Sequence, residues 1–159
     1  MKKIKIEQQQ PRPAWNQYFI HIARLVSTRS TCLRRHVGAV LTREGRIIAT
    51  GYNGAPTHLK HCSQTSCQRQ ALNIPSGTKH ELCIGLHAEQ NALLQAALQG
   101  TSTKDSTLYI TNHPCNICAK MLINAGITRV FFSEGYPDKF AEQILREAKI
   151  PVQEIPDVY

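Results

Sequence analysis

The sequence predicts a three-layer α/β/α fold, in which a central mixed sheet of five strands is covered by helices on both faces. Apolar residues recur at helical and at strand spacing in the order αββαβαβαβ along the 159 residues. A tight turn joins the first two strands, whereas helices separate the later strands, as in parallel crossovers. The length is typical of one domain, and we therefore assign residues 1–159 to a single domain.

The first part of the chain is predicted to contain an arm, one helix and a hairpin. Residues 1–13 are basic, then rich in glutamine, and they end in two prolines, so we expect a flexible arm. Residues 14–28 hold apolar side chains at helical spacing and form the first predicted helix. Two apolar segments, 37–41 and 47–52, are predicted strands, because the Glu-Gly pair between them is a hairpin turn signal.

The second part of the chain alternates helices and strands. The predicted helices cover residues 87–99, 115–125 and 140–148. The predicted strands cover residues 107–111, 129–133 and 152–155. Gly100 and Gly126 end the first two of these helices, as glycine often does. Residues 55–85, before the first of these helices, form a long polar connection. A connection of this length needs a structural restraint to be ordered in a compact domain.

Two short motifs place metal-binding side chains where two helices begin. One is H-A-E at residues 87–89, and the other is P-C-N-I-C at residues 114–118. The candidate ligands of a catalytic zinc ion are His87, Cys115 and Cys118. Three protein ligands leave the fourth corner of a tetrahedron to water, as in catalytic rather than structural zinc sites. Glu89 is placed to move a proton of that water without binding the metal.

Three further cysteines lie in the long connection, and a fourth precedes the first predicted strand, whose path alongside the sheet could return it to the same loop. Four thiolates would close a tetrahedral structural zinc site, which would hold this connection in place. The candidate ligands of the structural zinc are Cys32, Cys62, Cys67 and Cys83. Two alternatives remain open: either His80 or His58 replaces one of these cysteines, or the cysteines are reduced and bind no metal.

Composition excludes several classes of protein. The N-terminal segment lacks the apolar core of a secretory signal, and no apolar run is long enough to span a bilayer, so we expect a cytoplasmic location. Without a signal peptide, the six cysteines are better explained as thiols and metal ligands than as disulfides. The net charge of +8 favours anionic partners, and it fits a phosphorylated small molecule as well as nucleic acid.

The combination of H-x-E with P-C-x-x-C is the signature of zinc-dependent nucleobase deaminases. Beyond it, the chain resembles the deoxycytidylate (dCMP) deaminases, a family with members in bacterial late-competence operons. The residues that carry this resemblance are R-P-x-W-x-x-Y-F at 12–19, R-S-T-C at 29–32, V-G-A-V at 37–40, G-Y-N-G at 51–54, H-A-E-Q-N-A at 87–92 and S-E-G-Y-P-D at 133–138. The resemblance covers nearly the whole chain and implies a cytidine deaminase-like fold.

The resemblance also implies an activity and a set of contacts. It implies hydrolysis of dCMP to dUMP and ammonia, which supplies dUMP for thymidylate synthesis. Asn53 would bind the deoxyribose, the backbone N–H of Ala88 would meet the pyrimidine carbonyl, and Tyr136 would close over the ring. Together with the local charge, it makes Arg29 the first candidate for the phosphate, with Arg34 and Arg35 as weaker candidates. Members of the family are often hexamers regulated by dCTP and dTTP, so we expect a homo-oligomer, but no residue pattern indicates its size or an effector response.

Two other functions remain open from the sequence. A deaminase of RNA bases, or of another free nucleobase or nucleoside, would carry the same zinc motif. Single-stranded RNA is bound by stacking aromatic side chains, and only 6% of the residues here are aromatic, so nucleic acid is not the favoured partner. A non-catalytic protein that binds nucleotides or DNA is the second alternative, although it would not need an open zinc site beside a carboxylate.

Overall fold

The computed structural model describes residues 12–135 and 137–156 and contains one five-stranded sheet in the order β2-β1-β3-β4-β5. The strands are β1 (Gly38–Arg43), β2 (Arg46–Tyr52), β3 (Ser106–Asn112), β4 (Ile127–Glu134) and β5 (Val152–Glu154). β1 is antiparallel to both β2 and β3, whereas β3, β4 and β5 are parallel to one another. The predicted mixed sheet of five strands is therefore confirmed.

Helices cover both faces of this sheet, as the sequence predicts. They are α1 (Trp15–Ser27), α2 (Gln68–Ala71), α3 (Ala88–Leu98), α4 (Asn116–Asn124) and α5 (Lys139–Glu147). On one face, apolar side chains of α1 such as Phe19 and Ile20 pack against Val40, Tyr109 and Phe131 of the sheet. On the other face, α3, α4 and α5 enclose the larger apolar core. The α/β/α layering is confirmed.

The long connection after β2 has more structure than the sequence indicated. It contains the short helix α2 and two 3-10 turns, Cys62–Gln64 and His80–Leu82. Near its end, Leu86 is paired with Gly54 by two backbone hydrogen bonds, of 2.9 and 3.1 Å. Because Leu86 is followed by His87, this pairing fixes the start of α3 beside the end of β2.

Helix α3 also lies unusually close to strand β2. A Cβ atom at Gly51 would overlap the carbonyl oxygen of Ala88 and the backbone nitrogen of Ala92. Gly38 shows the same close approach on the opposite face, where a Cβ atom would overlap the backbone of Ala23 and Ser27 in α1. Glycine is needed at both positions because the helix backbone occupies the space of a side chain.

Some residues for which the sequence predicts a conformation or a role lie outside the described ranges. Residues 1–11 of the expected flexible arm, and Tyr136, lie outside the described residues. Arg12 and Pro13, at the end of that arm, have no regular secondary structure. Among the helices that the structure does describe, none has the length and apolar character that crossing a membrane requires.

Candidate metal centre and cavity

The predicted zinc ligands lie at the N-termini of two helices on the same face of the sheet. The sequence indicated that His87 and Cys115 would be helical, but both have extended backbone and stand immediately before α3 and α4. Cys118 lies in the first turn of α4. Backbone N–H groups and the positive ends of both helix dipoles therefore face these side chains, which favours thiolates at this place.

The three side chains meet at hydrogen-bonding distance. The Nδ1 atom of His87 lies 3.5 Å from the Sγ atom of Cys115 and 3.4 Å from the Sγ atom of Cys118. Their ligand atoms all lie within 4.8 Å of one another, and no other three His, Cys, Asp or Glu residues in the described ranges meet this criterion. One imidazole nitrogen and two sulfurs, partly or fully buried, form a donor set that fits zinc and leaves a fourth position open.

The protonation of the three groups is strongly linked. Hydrogen bonds from Cys118 and from His87 lower the pKa of Cys115 to about 3. The same bond to Cys115, together with burial, raises the pKa of Cys118. The hydrogen bond to Cys115 and the charge of Glu89 raise the pKa of His87, against the effect of burial. These shifts favour a thiolate at Cys115, where a cation would be held.

Glu89 is placed beside these ligands as the sequence indicated. Its side chain belongs to the first turn of α3 and the residue is only 4% exposed. Burial raises the pKa of Glu89 to about 7, although the neighbouring charge of His87 lowers it. A carboxyl group in this range exchanges protons readily near neutral pH.

A cavity of about 360 Å³ opens beside the centre. Its walls include His87, Glu89 and Cys115, together with Asn53 and Ala88. This volume falls within the range of pockets that enclose small organic ligands. The cavity therefore brings two of the predicted substrate contacts to the predicted metal centre.

Asn53 is held firmly in this wall. Its Oδ1 atom accepts a hydrogen bond from the backbone N–H of Val37 at 2.8 Å, and its Nδ2 donates to the carbonyl oxygen of Arg35 at 2.9 Å. The side chain therefore fastens the end of β2 to the segment before β1. An amide oxygen and an NH₂ group can each make a second bond, so Asn53 retains capacity toward a ligand.

The arginines predicted for the phosphate differ in position. Arg29 is exposed beyond the end of α1 and does not line the cavity, whereas Arg34 and Arg35 both line it. The Nη1 atom of Arg34 is buried and has no hydrogen-bond partner within the described ranges. Since a buried unpaired guanidinium donor is costly, Arg34 is the best placed to bind an anion of the three arginines that the sequence suggested.

The second group of cysteines lines another part of the same cavity. Cys32, Cys62, Cys67 and Cys83 all contribute to its wall. Burial raises the pKa of Cys62, and so do the charges of Cys67, Cys32 and Cys83. The four sulfurs are more widely spaced than the ligand atoms around His87, since no three of them lie within 4.8 Å of one another.

The structure also distinguishes between the two histidines that could replace a cysteine in this group. His80 lines the cavity, its ring contacts that of His87 at a centroid distance of 4.9 Å, and its Nδ1 atom is buried without a hydrogen-bond partner in the described part of the chain. His58 is exposed and does not line the cavity. A histidine ligand in the second group would therefore be His80.

Sequence reasoning missed two residues of this cavity. Arg69 lines the cavity and is 8% exposed, and its Nη2 atom donates to the carbonyl oxygens of Thr78 at 2.6 Å and Pro75 at 3.3 Å. Asp138 was not singled out, although an aspartate just before an amphipathic segment is a helix-capping signal. It lines the cavity and caps α5.

Comparison with known proteins gives a consistent result. A family model described as the cytidine and deoxycytidylate deaminase zinc-binding region matches residues 13–134. The deoxycytidylate deaminase of Saccharomyces cerevisiae is 40% identical over 144 residues, which are 90% of this chain but 45% of the yeast protein. The chain thus spans less than half the length of that relative. ComE operon protein 2 of Bacillus subtilis is 37% identical over 91% of this chain and 72% of its own length.

A solved structure extends the likeness to three dimensions. The crystal structure of the dCMP deaminase of cyanophage S-TIM5, in complex with dCMP and dUMP, matches with a TM-score of 0.76 at 28% identity. The match covers 92% of this chain and 100% of the phage chain. The resemblance carried by the sequence motifs is therefore confirmed, and the chain belongs to the cytidine and deoxycytidylate deaminase family.

Proposed function

We propose that this protein is a zinc-dependent deaminase that hydrolyses dCMP to dUMP and ammonia. The observation that carries the proposal is the convergence of His87, Cys115 and Cys118 beside the buried carboxyl of Glu89, at the wall of a cavity large enough for a nucleotide. The relatives named as dCMP deaminases, and the phage structure with dCMP and dUMP, support this substrate. The dUMP formed would supply thymidylate synthesis.

In this proposal His87, Cys115 and Cys118 hold the catalytic zinc. The ion would lower the pKa of a bound water molecule to roughly 7 and so provide a nucleophile at neutral pH. Glu89 takes a proton from the attacking water and delivers it to N3 of the cytosine ring. It then passes the second water proton to the amine that leaves C4, so that water and cytosine become uracil and ammonia. Asn53 and the backbone N–H of Ala88 bind the deoxyribose and the pyrimidine carbonyl, and Tyr136 covers the ring.

The phosphate of the substrate would be bound by Arg34. This assignment replaces Arg29 as first candidate, because Arg34 lines the cavity and has a buried donor that needs a partner. We expect Arg34→Gln to raise the KM for dCMP roughly tenfold or more, since a charge-assisted hydrogen bond contributes about 1.5–3 kcal/mol. Arg29→Gln is the matched control and should leave the KM within about twofold. Equal effects of the two substitutions on KM would contradict the assignment.

A second, structural zinc would be held by Cys32, Cys62, Cys67 and Cys83, with His80 as the alternative to one cysteine. The clustering of these cysteines in the cavity wall supports it. So does Arg69, a buried cation whose side chain forms no ion pair with a carboxylate in the described residues. Four thiolates around one zinc carry a net charge of about −2, which a buried cation would offset.

The function is tested by supplying purified protein with dCMP, deoxycytidine, dCTP, guanine and a short single-stranded RNA, and by following ammonia release. We expect release from dCMP, and much less from deoxycytidine because it lacks the phosphate. Ammonia from RNA or guanine, but not from dCMP, would overturn the proposal in favour of another deaminase. Binding of dCMP without release would favour a non-catalytic protein.

Assembly, regulation and location are part of the same proposal. We expect a homo-oligomer, which the family resemblance suggests is a hexamer, and we expect dCTP and dTTP as candidate effectors. Light scattering of the purified chain, and assays of dCMP turnover with each effector, test these expectations. The cytoplasmic location stays a prediction from the sequence.

A further inference from the structure

The carboxylate of Asp138 connects two helices, α4 and α5, that both begin beside the cavity wall. Its Oδ1 atom accepts hydrogen bonds from the backbone N–H groups of Phe140 at 3.0 Å and Ala141 at 3.1 Å, which caps α5. Its Oδ2 atom accepts from the backbone N–H of Asn116 at 3.0 Å and from the side-chain Nδ2 of Asn116 at 2.9 Å. One carboxylate thus satisfies donors at the start of both α5 and α4.

The bond to Asn116 lies beside the metal centre. Asn116 follows Cys115 directly and is the first residue of α4, whose first turn also carries Cys118. Cys115 itself makes no side-chain cap on α4, so Asp138 supplies the capping oxygen from outside the helix. The hydrogen bonds of this carboxylate are therefore made to the turn that carries both sulfurs.

The same residue also ends a connection that forms part of the cavity wall. The connection leaves β4 at Glu134, whose carbonyl oxygen accepts a hydrogen bond from the N–H of His113 at 3.0 Å. It returns to α4 at Asp138, and both Pro137 and Asp138 line the cavity. The loop before α5 is therefore fastened at both ends to the loop before α4.

We infer that Asp138 is a positioning residue of the reaction, one that holds the Cys115–Cys118 turn and the adjoining cavity wall in register. This inference rests on the proposed function for its catalytic consequence. Capping of α5 alone would explain the two bonds to Oδ1, but it would not explain why Oδ2 is directed at Asn116. We therefore expect the loss of Asp138 to weaken both zinc retention and substrate turnover.

The experiment tests the roles of the two carboxylate oxygens of Asp138 separately. In Asp138→Ser, one hydroxyl keeps the cap of α5, because serine is a good N-cap residue, but it cannot also serve Asn116. Asn116→Ala removes the side-chain bond and leaves the backbone bond to Asp138. Lys139→Gln, at an exposed position in the first turn of α5 that does not line the cavity, is the matched control. Each full-length variant is assayed for zinc retained during dialysis against a chelator, for kcat and KM with dCMP, and for thermal stability.

We expect Asp138→Ser to retain zinc less well and to lower kcat/KM, by about 10- to 100-fold, as is typical of groups that orient metal ligands. Asn116→Ala should show a smaller effect, and the double variant should be no worse than Asp138→Ser, because the two groups act through one contact. Wild-type zinc retention and kinetics in Asp138→Ser, with or without lower thermal stability, would overturn the inference. If the wild-type protein does not deaminate dCMP, the proposed function fails, and zinc retention alone still decides the role of Asp138.

Discussion

The side chain of Glu89 shows how much a single residue depends on its surroundings. In water its carboxyl group would be ionised at neutral pH, but its burial in the first turn of α3 raises its pKa to about 7. The charge of a zinc ion at the neighbouring ligands would favour the ionised form, ready to accept a proton. Because this carboxyl group lies beside His87 and Cys118, it is placed both to accept a proton and to donate one.

We predict that Glu89→Gln retains its zinc and binds dUMP but loses at least about 10²–10⁴ in kcat, the usual contribution of general acid–base catalysis. Glutamine keeps the size and hydrogen-bonding reach of glutamate, yet it does not exchange a proton at neutral pH. Metal analysis, equilibrium dialysis with dUMP, and steady-state kinetics measure the three properties.

Glu81→Gln provides the control for this substitution, because Glu81 is exposed and does not line the cavity. It should behave as the wild-type protein in all three assays. Loss of zinc from Glu89→Gln would mean that Glu89 is a ligand or a structural support. Near-normal turnover with zinc retained would mean that another group moves the protons.

At the scale of elements, two close contacts between glycine and helix set the positions of α1 and α3 on opposite faces of the sheet. Gly51 on β2 lets the backbone of α3 approach at Ala88 and Ala92, which brings the start of α3 to the cavity. Gly38 on β1 does the same for α1, which carries no predicted metal ligand or catalytic residue. The two glycines are packed against a helix backbone in the same way. They differ because α3 carries the predicted catalytic residue Glu89, whereas α1 carries no predicted site residue.

We predict that Gly51→Ala and Gly38→Ala both lower thermal stability, since overpacking typically costs about 1–3 kcal/mol. Only Gly51→Ala should also lower kcat per folded molecule, because pushing α3 away from β2 moves Glu89 and His87. Thermal unfolding and kinetics normalised to folded protein separate the two effects. An equal fall of kcat in both variants would show that the position of α3 is not the cause.

At the scale of the whole molecule, one cavity joins two groups of metal-binding side chains. Cys32 comes from the segment before β1, and Cys62, Cys67 and Cys83 come from the long connection. The predicted catalytic ligands come from the starts of α3 and α4. A structural zinc held by the four cysteines would restrain the long connection and would thereby support the cavity wall. Its main contribution would be to stability, whereas that of the catalytic zinc would be to chemistry.

We predict about two zinc ions per chain after mild purification. Cys67→Ser should lose one of them and lower thermal stability more than turnover per folded molecule, because Cys67 belongs to the structural group. Cys115→Ser should lose the other and abolish turnover. Metal analysis, thermal unfolding and dCMP assays give the comparison, and one zinc per chain in the wild-type protein would rule out the structural site.

The sequence by itself predicts the order of the elements and the two ligand motifs, because both depend on local spacing. Helical and strand periodicity needs only neighbouring residues, so all five strands and the four longer helices lie close to their predicted bounds. The pairing of H-A-E with P-C-N-I-C likewise needs no knowledge of the fold. These local patterns were sufficient to indicate a deaminase-like zinc site.

Only the tertiary structure decides which side chains from distant segments reach the same cavity. Arg29 and Arg34 are close in the sequence, but the path of the chain after α1 leaves the first exposed and places the second in the cavity wall. The bond between Asp138 and Asn116 likewise exists because β3 and β4 are neighbours in the sheet, which places the loops that follow them side by side. Spacing along the chain carries no information about such contacts, since they depend on how the loops are folded against each other.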